Sequence, residues 1–207
     1  MEAYFTVRNK SEYRFTERKS EFIGYCSPVS TEEEAIDFVN SIKKKHSSAT
    51  HNVYAYIVRE GFACRFSDDG EPLGTAGMPV LDAMRKSGVT DTAIVVTRYF
   101  GGKLLGTGGL VRAYTAAAAG ALKEACVAEM KVFSLVSIKT DYSDYQKIIS
   151  VASNYNARLD DSEFTSDVRA VYRILDEKTE AFINDVISAT SGRASAIISR
   201  QICDFSD

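Results

Sequence analysis

The chain has 207 residues, 45% hydrophobic and 26% charged, which is the profile of an ordinary globular protein and suits one large domain or two small ones. A net charge of −3 excludes a uniformly basic nucleic-acid binder, and no run approaches the roughly 18 apolar residues of a membrane-spanning helix. The opening MEAYFTVRNK lacks the apolar core of a signal peptide, so no membrane is expected and the expected compartment is the cytoplasm.

Charge is unevenly spread. Residues 1–133 carry 17 Lys+Arg against 16 Asp+Glu, and residues 134–207 carry 8 against 12, so any nucleic-acid contact must be a local patch on the first part. Cys26, Cys64, Cys126 and Cys203 are far apart and form no CxxC pair, the usage of small apolar groups in a reducing compartment.

Residues 3–29 read as short strands with Tyr13, Phe15, Phe22, Ile23 and Tyr25 as their apolar content, and Thr16–Glu21 as a turn or exposed edge. Thr31 with Glu34 is a capping box opening a helix whose buried stripe is Ala35, Phe38, Val39 and Ile42. Lys43, Lys44 and Lys45 suit its negative end. His46 and His51 follow. Two histidines without a third ligand make no metal site; His46 is expected at the surface, and His51, just before the strand Val53–Val58, beside a cleft.

The segment FSDDGEPLGTAGMP, Phe66 to Pro79, concentrates Asp68, Asp69 and Glu71 among turn formers. Such carboxylates pair with arginines, build an Asp-Gly turn, or hold magnesium. Thr75 is expected to start a helix with Val80, Leu81 and Met84 inward, closed by Gly88.

Ala93–Val96 is a short, nearly continuous apolar run, the signature of a buried strand. It leads into a loop with Gly101, Gly102, Gly106, Gly108 and Gly109, then a helix whose apolar positions run from Leu110 to Ala125. A helix start offers unpaired N–H groups and a favourable dipole to an anion. Arg98, Lys103 and Arg112 flank it, and Tyr99 and Phe100 add rings that stack on bases. The alternative is a tight turn that lets a small-residue helix lie close to a sheet. Neither GxxxxGK[ST] nor strand–GxGxxG is present, so no nucleotide cofactor is expected. No catalytic triad is recognisable, so no catalytic residue is assigned and the balance is against an enzyme.

Beyond residue 133, Val132–Thr140 reads as a strand, and Ser143 with Gln146 as a capping box for a helix with Tyr145, Ile148, Ile149 and Ala152 inward. Two strand candidates follow; in the clearer, Val168, Ala170, Tyr172 and Ile174 alternate with Arg169, Val171 and Arg173. Phe182, Ile183 and Val186 mark a helix stopped at Gly192, and Ala196–Cys203 a final strand. The order βαββαβ is ferredoxin-like, and the expected domains are 1–133 and 134–207.

The blocks FSDDGEPLGTAGMPVLDAM and VVTRYFGGKLLGTGGLVRAY, with HNVYAY upstream, resemble the signature of the IMPACT family in its bacterial, YigZ-like branch. The resemblance spans about residues 15 to 130, and the tail matches the second domain of bacterial members. It implies an α+β, two-domain protein. The first domain would be a β-sheet with helices on one face, similar to domain four of elongation factor G and to a ribosomal-protein fold. The second would be ferredoxin-like. The family is associated with control of translation: its eukaryotic members compete for the activator of a stress-responsive initiation-factor kinase, and for bacterial members nucleic-acid or ribosome binding has been proposed.

Three readings stay open from sequence. In the first, RNA or the ribosome is bound through Arg98, Tyr99, Lys103, Arg112 and the glycine-loop amides. In the second, a magnesium-dependent enzyme sets Asp68, Asp69 and Glu71 against Arg98 around a small phosphorylated substrate. In the third, the same surface grips a partner protein while the acidic motif and Arg98 form an internal network. The oligomeric state is left open.

Overall fold

The computed structural model describes residues 2–205. The chain divides into two compact units, Tyr4–Glu129 and a second that begins at Met130.

In the first unit the elements are β1 (Tyr4–Val7), β2 (Ser11–Glu17), β3 (Ser20–Pro28), α1 (Glu32–Lys45), β4 (His51–Val58), β5 (Ala63–Ser67), α2 (Gly77–Lys86), β6 (Thr92–Tyr99) and α3 (Thr107–Glu124). Strands β2-β3-β6-β4-β5 form an antiparallel sheet with β6 at its centre. Every residue of β6 from Thr92 to Arg98 is buried, so its side chains need cover on both faces. Ile94 and Val96 meet Val80 and Met84 of α2 and Leu110, Tyr114 and Ala118 of α3. Val95, with Ile23 and Tyr25, packs under Val39 and Ile42 of α1. The helices expected on one face are thus α2 and α3, and α1 seals the other, which an unbroken apolar strand requires.

Close helix–sheet packing depends on a missing side chain: a Cβ on Gly24 would sit 2.5 Å from the Ala117 carbonyl oxygen of α3. The expected turn in Thr16–Glu21 is a two-residue hairpin. Arg18 (φ 45°) and Lys19 (φ 68°) both take the left-handed backbone that matches the twist of paired strands. At the start of α1, Thr31 Oγ1 accepts from the Glu34 amide (3.1 Å) and Glu34 reaches back to the Ser30 amide (2.6 Å), closing the expected capping box one residue further out.

The second unit uses β7 (Val127–Thr140), α4 (Tyr142–Asn154), β8 (Arg158–Phe164), β9 (Val168–Leu175), α5 (Thr179–Ala189) and β10 (Ser195–Phe205). The boundary expected after Phe133 falls inside β7. The antiparallel order β8-β9-β7-β10 is that of a ferredoxin-like domain. Alternation along β9 sends Val168, Ala170, Tyr172 and Ile174 inward, the last three packing with Ile148, Phe182 and Val186. On the other face Arg173 is paired with Asp160 and Asp204, so that guanidinium is already occupied. The capping box expected at Ser143 is a correction: α4 opens at Tyr142, and its cap is Asp141, whose Oδ1 accepts from the Asp144 amide and the Ser143 hydroxyl, both at 2.8 Å. A carboxylate one residue before the helix holds the orphan Asp144 amide, and the Ser143 hydroxyl donates to the same carboxylate. Among the described residues no helix is long and apolar enough to cross a membrane.

Candidate functional site

Arg98 and Tyr99 close β6, and alternation throws them to opposite faces of the sheet. Arg98 is 5% exposed. Its Nη1 donates to Glu71 Oε1 at 2.6 Å, and the Tyr114 hydroxyl donates to the same oxygen at 2.7 Å. Nη2 reaches Ser20 Oγ at 3.4 Å, while Nε has no partner among the described residues. Burial, reinforced by the Glu71 charge, pushes the Tyr114 hydroxyl upward and keeps it protonated. His51 lies alongside, its Nε2 3.8 Å from Glu71 Oε1. Its Nδ1 is 2.8 Å from the Asp69 carbonyl oxygen, which can only accept, so Nδ1 carries the proton.

This placement corrects the expectation for Arg98. Its guanidinium faces the protein's own interior, because the central strand is covered by helices at that position and Glu71 is the charge it finds there. Tyr99 also turns inward: its hydroxyl shares a hydrogen bond with His46 Nδ1 (2.9 Å), and Tyr25 with His46 Nε2 (2.7 Å). His46, expected at the surface, is accordingly buried.

The acidic motif is divided among three internal tasks. Asp68 accepts from the amides of Gly74 (2.9 Å), Ala76 (3.0 Å) and Gly77 (2.7 Å), holding the start of α2 from several residues upstream. Thr75, expected to open that helix, instead donates to the Pro72 carbonyl at 2.7 Å. Asp69 takes Lys43 Nζ at 2.9 Å and the Asn52 amide at 2.6 Å. With Glu71 on Arg98, the motif makes ion pairs and turns.

The glycine loop has an inner and an outer part. A Cβ on Gly101 would fall 1.9 Å from the Lys19 carbonyl oxygen, so this glycine lets the β2–β3 hairpin lie against the loop. Arg18 Nη1 completes that contact on the Leu104 carbonyl at 3.5 Å. Gly102, Lys103 and Leu104 stand out in solvent. Gly106 caps α3 without any side-chain hydrogen bond, Gly108 and Gly109 fill its first turn, and Arg112 projects, exposed, one turn on. Among the described residues neither Lys103 nor Arg112 forms an ion pair. Arg18 and Lys19 thus join Lys103 and Arg112 around one loop. Sequence reasoning missed the first two because only hairpin pairing brings them there.

One sequence signal gains meaning from this geometry. Leu73-Gly74-Thr75-Ala76-Gly77 and Leu105-Gly106-Thr107-Gly108-Gly109 are near-copies, and Gly74 and Gly106 share a φ of 75° and 74°. In the first copy a carboxylate, Asp68, occupies the amides. In the second no side chain does.

Residues 18–122 match the model of the Impact N-terminal domain, and residues 138–193 that of a domain of unknown function (DUF1949). Over 195 residues the chain is 37% identical to IMPACT family member YvyE of Bacillus subtilis (strain 168), covering 94% of this chain and 90% of that protein. It is 33% identical over 154 residues to IMPACT family member YigZ of Escherichia coli (strain K12), covering 73% and 76%. A shorter likeness, 37% over 97 residues, links it to Protein IMPACT of Oryctolagus cuniculus, covering 44% of this chain and 30% of that one. Among solved structures, a crystal structure described as that of a hypothetical protein is 28% identical, with a TM-score of 0.61 over 97% of this chain and 98% of that one.

Proposed function

The chain belongs to the IMPACT family, and from that premise we propose that it is a non-enzymatic regulator associated with translation, contacting RNA or the ribosome through the start of α3. The observation that carries this reading is the first turn of α3, uncapped by any side chain and flanked by Lys103 and Arg112, which have no carboxylate partner among the described residues. The same Leu-Gly-Thr turn at α2 holds an oxyanion of the protein itself, the Asp68 carboxylate, on its amides. A backbone phosphate offers the same oxygens to the second copy. In this reading the anion-contacting residues are Lys103, Arg112 and the amides around Gly106, Gly108 and Gly109, with Arg18 and Lys19 added from the hairpin. Gly101 and Gly102 shape the loop, and Arg98 with Glu71 anchors its base.

Each phosphate neutralised releases counterions, so binding should fall steeply with salt. Co-sedimentation with ribosomes should be strong near ~50 mM salt and lost near ~200 mM. Lys103→Ala with Arg112→Ala should leave the protein in the supernatant at both. Unchanged pelleting of the double variant, with an unchanged salt slope, rejects the site.

A second reading rests on two exposed apolar residues, Leu73 in the first Leu-Gly-Thr turn and Leu104 immediately before the second. Leu73 is 96% and Leu104 81% exposed, and such residues favour a protein partner over a phosphate chain. Pelleting that survives nuclease treatment of the ribosome fraction would favour it.

A further inference from the structure

Beside the first turn of α3 lies a cavity of about 270 Å³, open to solvent, between the β2–β3 hairpin and the helix. Arg18 and Arg112 flank it, Phe15 and Leu105 form its walls, and Ala113 and Ala116 lie along the helix side. Neither arginine has an ion-pair partner among the described residues. Phe15 is half-buried; Phe22 stacks on it with centroids 5.4 Å apart and planes 12° off parallel, and Phe22 in turn meets Tyr114 edge-on. The aromatic column of the core therefore passes along the cavity wall at Phe15 and runs on to Tyr13, whose ring centroid lies 5.9 Å from that of Phe15.

Three features define an occupant. The volume lies just below the roughly 300 Å³ at which sites for drug-sized molecules begin, which suits one planar ring system. The walls are a ring, an aliphatic side chain and small residues, which suit a flat apolar face. Glu17 also lines the cavity and repels a phosphate placed inside, but accepts from the N–H groups on the edge of a base. The anionic groups belong outside, at the two guanidiniums. We propose that this cavity seats one unstacked base of a single-stranded nucleic acid, its neighbouring phosphates on Arg18 and Arg112. The inference rests on the anion-contact reading of α3 and adds the strandedness of the partner to it. A base paired within a duplex is unavailable for such insertion, whereas a single strand presents it freely.

The test is fluorescence anisotropy with labelled ten-nucleotide single-stranded RNA, the same strand in a duplex, and a poly-glutamate peptide. The native chain should bind the single strand at least about tenfold more tightly than the duplex, the value of one stacked base. Ala116→Leu fills the cavity from an exposed helix position. It should lose about that same factor on the single strand, keep the salt slope and retain the native melting curve. Ala119→Leu, exposed on the same helix outside the cavity, should bind as the native chain does. Salt-dependent binding that Ala116→Leu leaves unchanged, or equal affinity for duplex and single strand, overturns the cavity assignment while leaving the anion site of α3 standing. Absence of salt-dependent binding to either RNA overturns both. Peptide binding lost in Ala116→Leu, with RNA binding intact, overturns the assignment in favour of a protein ligand.

Discussion

At the scale of single residues, the Arg98–Glu71 pair decides what the end of β6 is for. Both side chains are nearly closed to solvent, and Tyr114 adds a second donor to the same carboxylate oxygen. Removing the charge from one partner leaves the other buried and uncompensated. Glu71→Gln should therefore cost about 3–5 kcal/mol in urea unfolding, and the paired change Glu71→Leu with Arg98→Met much less than twice that. His46 makes a second prediction. Burial, and after it the Lys45 charge, holds its pKa below 6.5 against the opposing pull of Glu12 and Glu21; Arg14 adds to the downward push. The unfolded chain then binds the proton more readily, so the stability present above about pH 6.5 is lost as pH falls through the folded value. Urea midpoints should drop between pH 7.5 and 5.5, and His46→Gln should flatten that slope. Cys26 has no such role: burial pushes its thiol up to about 12, and it is packing material, whereas Cys64 and Cys203 are half-buried and Cys126 is exposed.

At the scale of elements, the starts of α1 to α4 separate support from availability. α1 is closed by Thr31 and Glu34, α4 by Asp141, and α2 by Asp68 reaching over a loop. Asp68→Ala frees three amides at once and should cost about 0.5–2 kcal/mol, the range of a lost N-cap, with the Gly77 amide losing exchange protection first. Sequence reading placed the α1 cap correctly because Thr31 and Glu34 are local to the helix they cap. It misplaced those of α2 and α4. For α2 the accepting side chain, Asp68, lies across a turn that spacing does not encode; for α4, Asp141 and Ser143 are both acceptable caps, and only the observed helix start chooses between them.

At the scale of the whole chain, a net charge of −3 sets what kind of surface can meet a polyanion. Attraction must be local, and the hairpin tip with the glycine loop gathers Arg18, Lys19, Lys103 and Arg112 while Arg98 is withdrawn. Affinity built from a few such contacts on an acidic protein depends on ionic strength more than on total charge. The ribosome experiment is accordingly read by its salt slope.

The sequence by itself determined the family, the second domain's element order, the first domain's apart from β5, and most of the helix stripes, because periodicity and local blocks survive in one dimension. It also contained the need for helices on both faces of the first sheet, in the unbroken burial pattern of Ala93–Val96, though the resemblance pointed to one. Only the tertiary structure decided which cations are spent and which are free. Arg98 and Arg112 look alike in sequence. One meets Glu71 inside the fold and the other meets solvent, since pairing of side chains distant along the chain is fixed by how strands and helices pack.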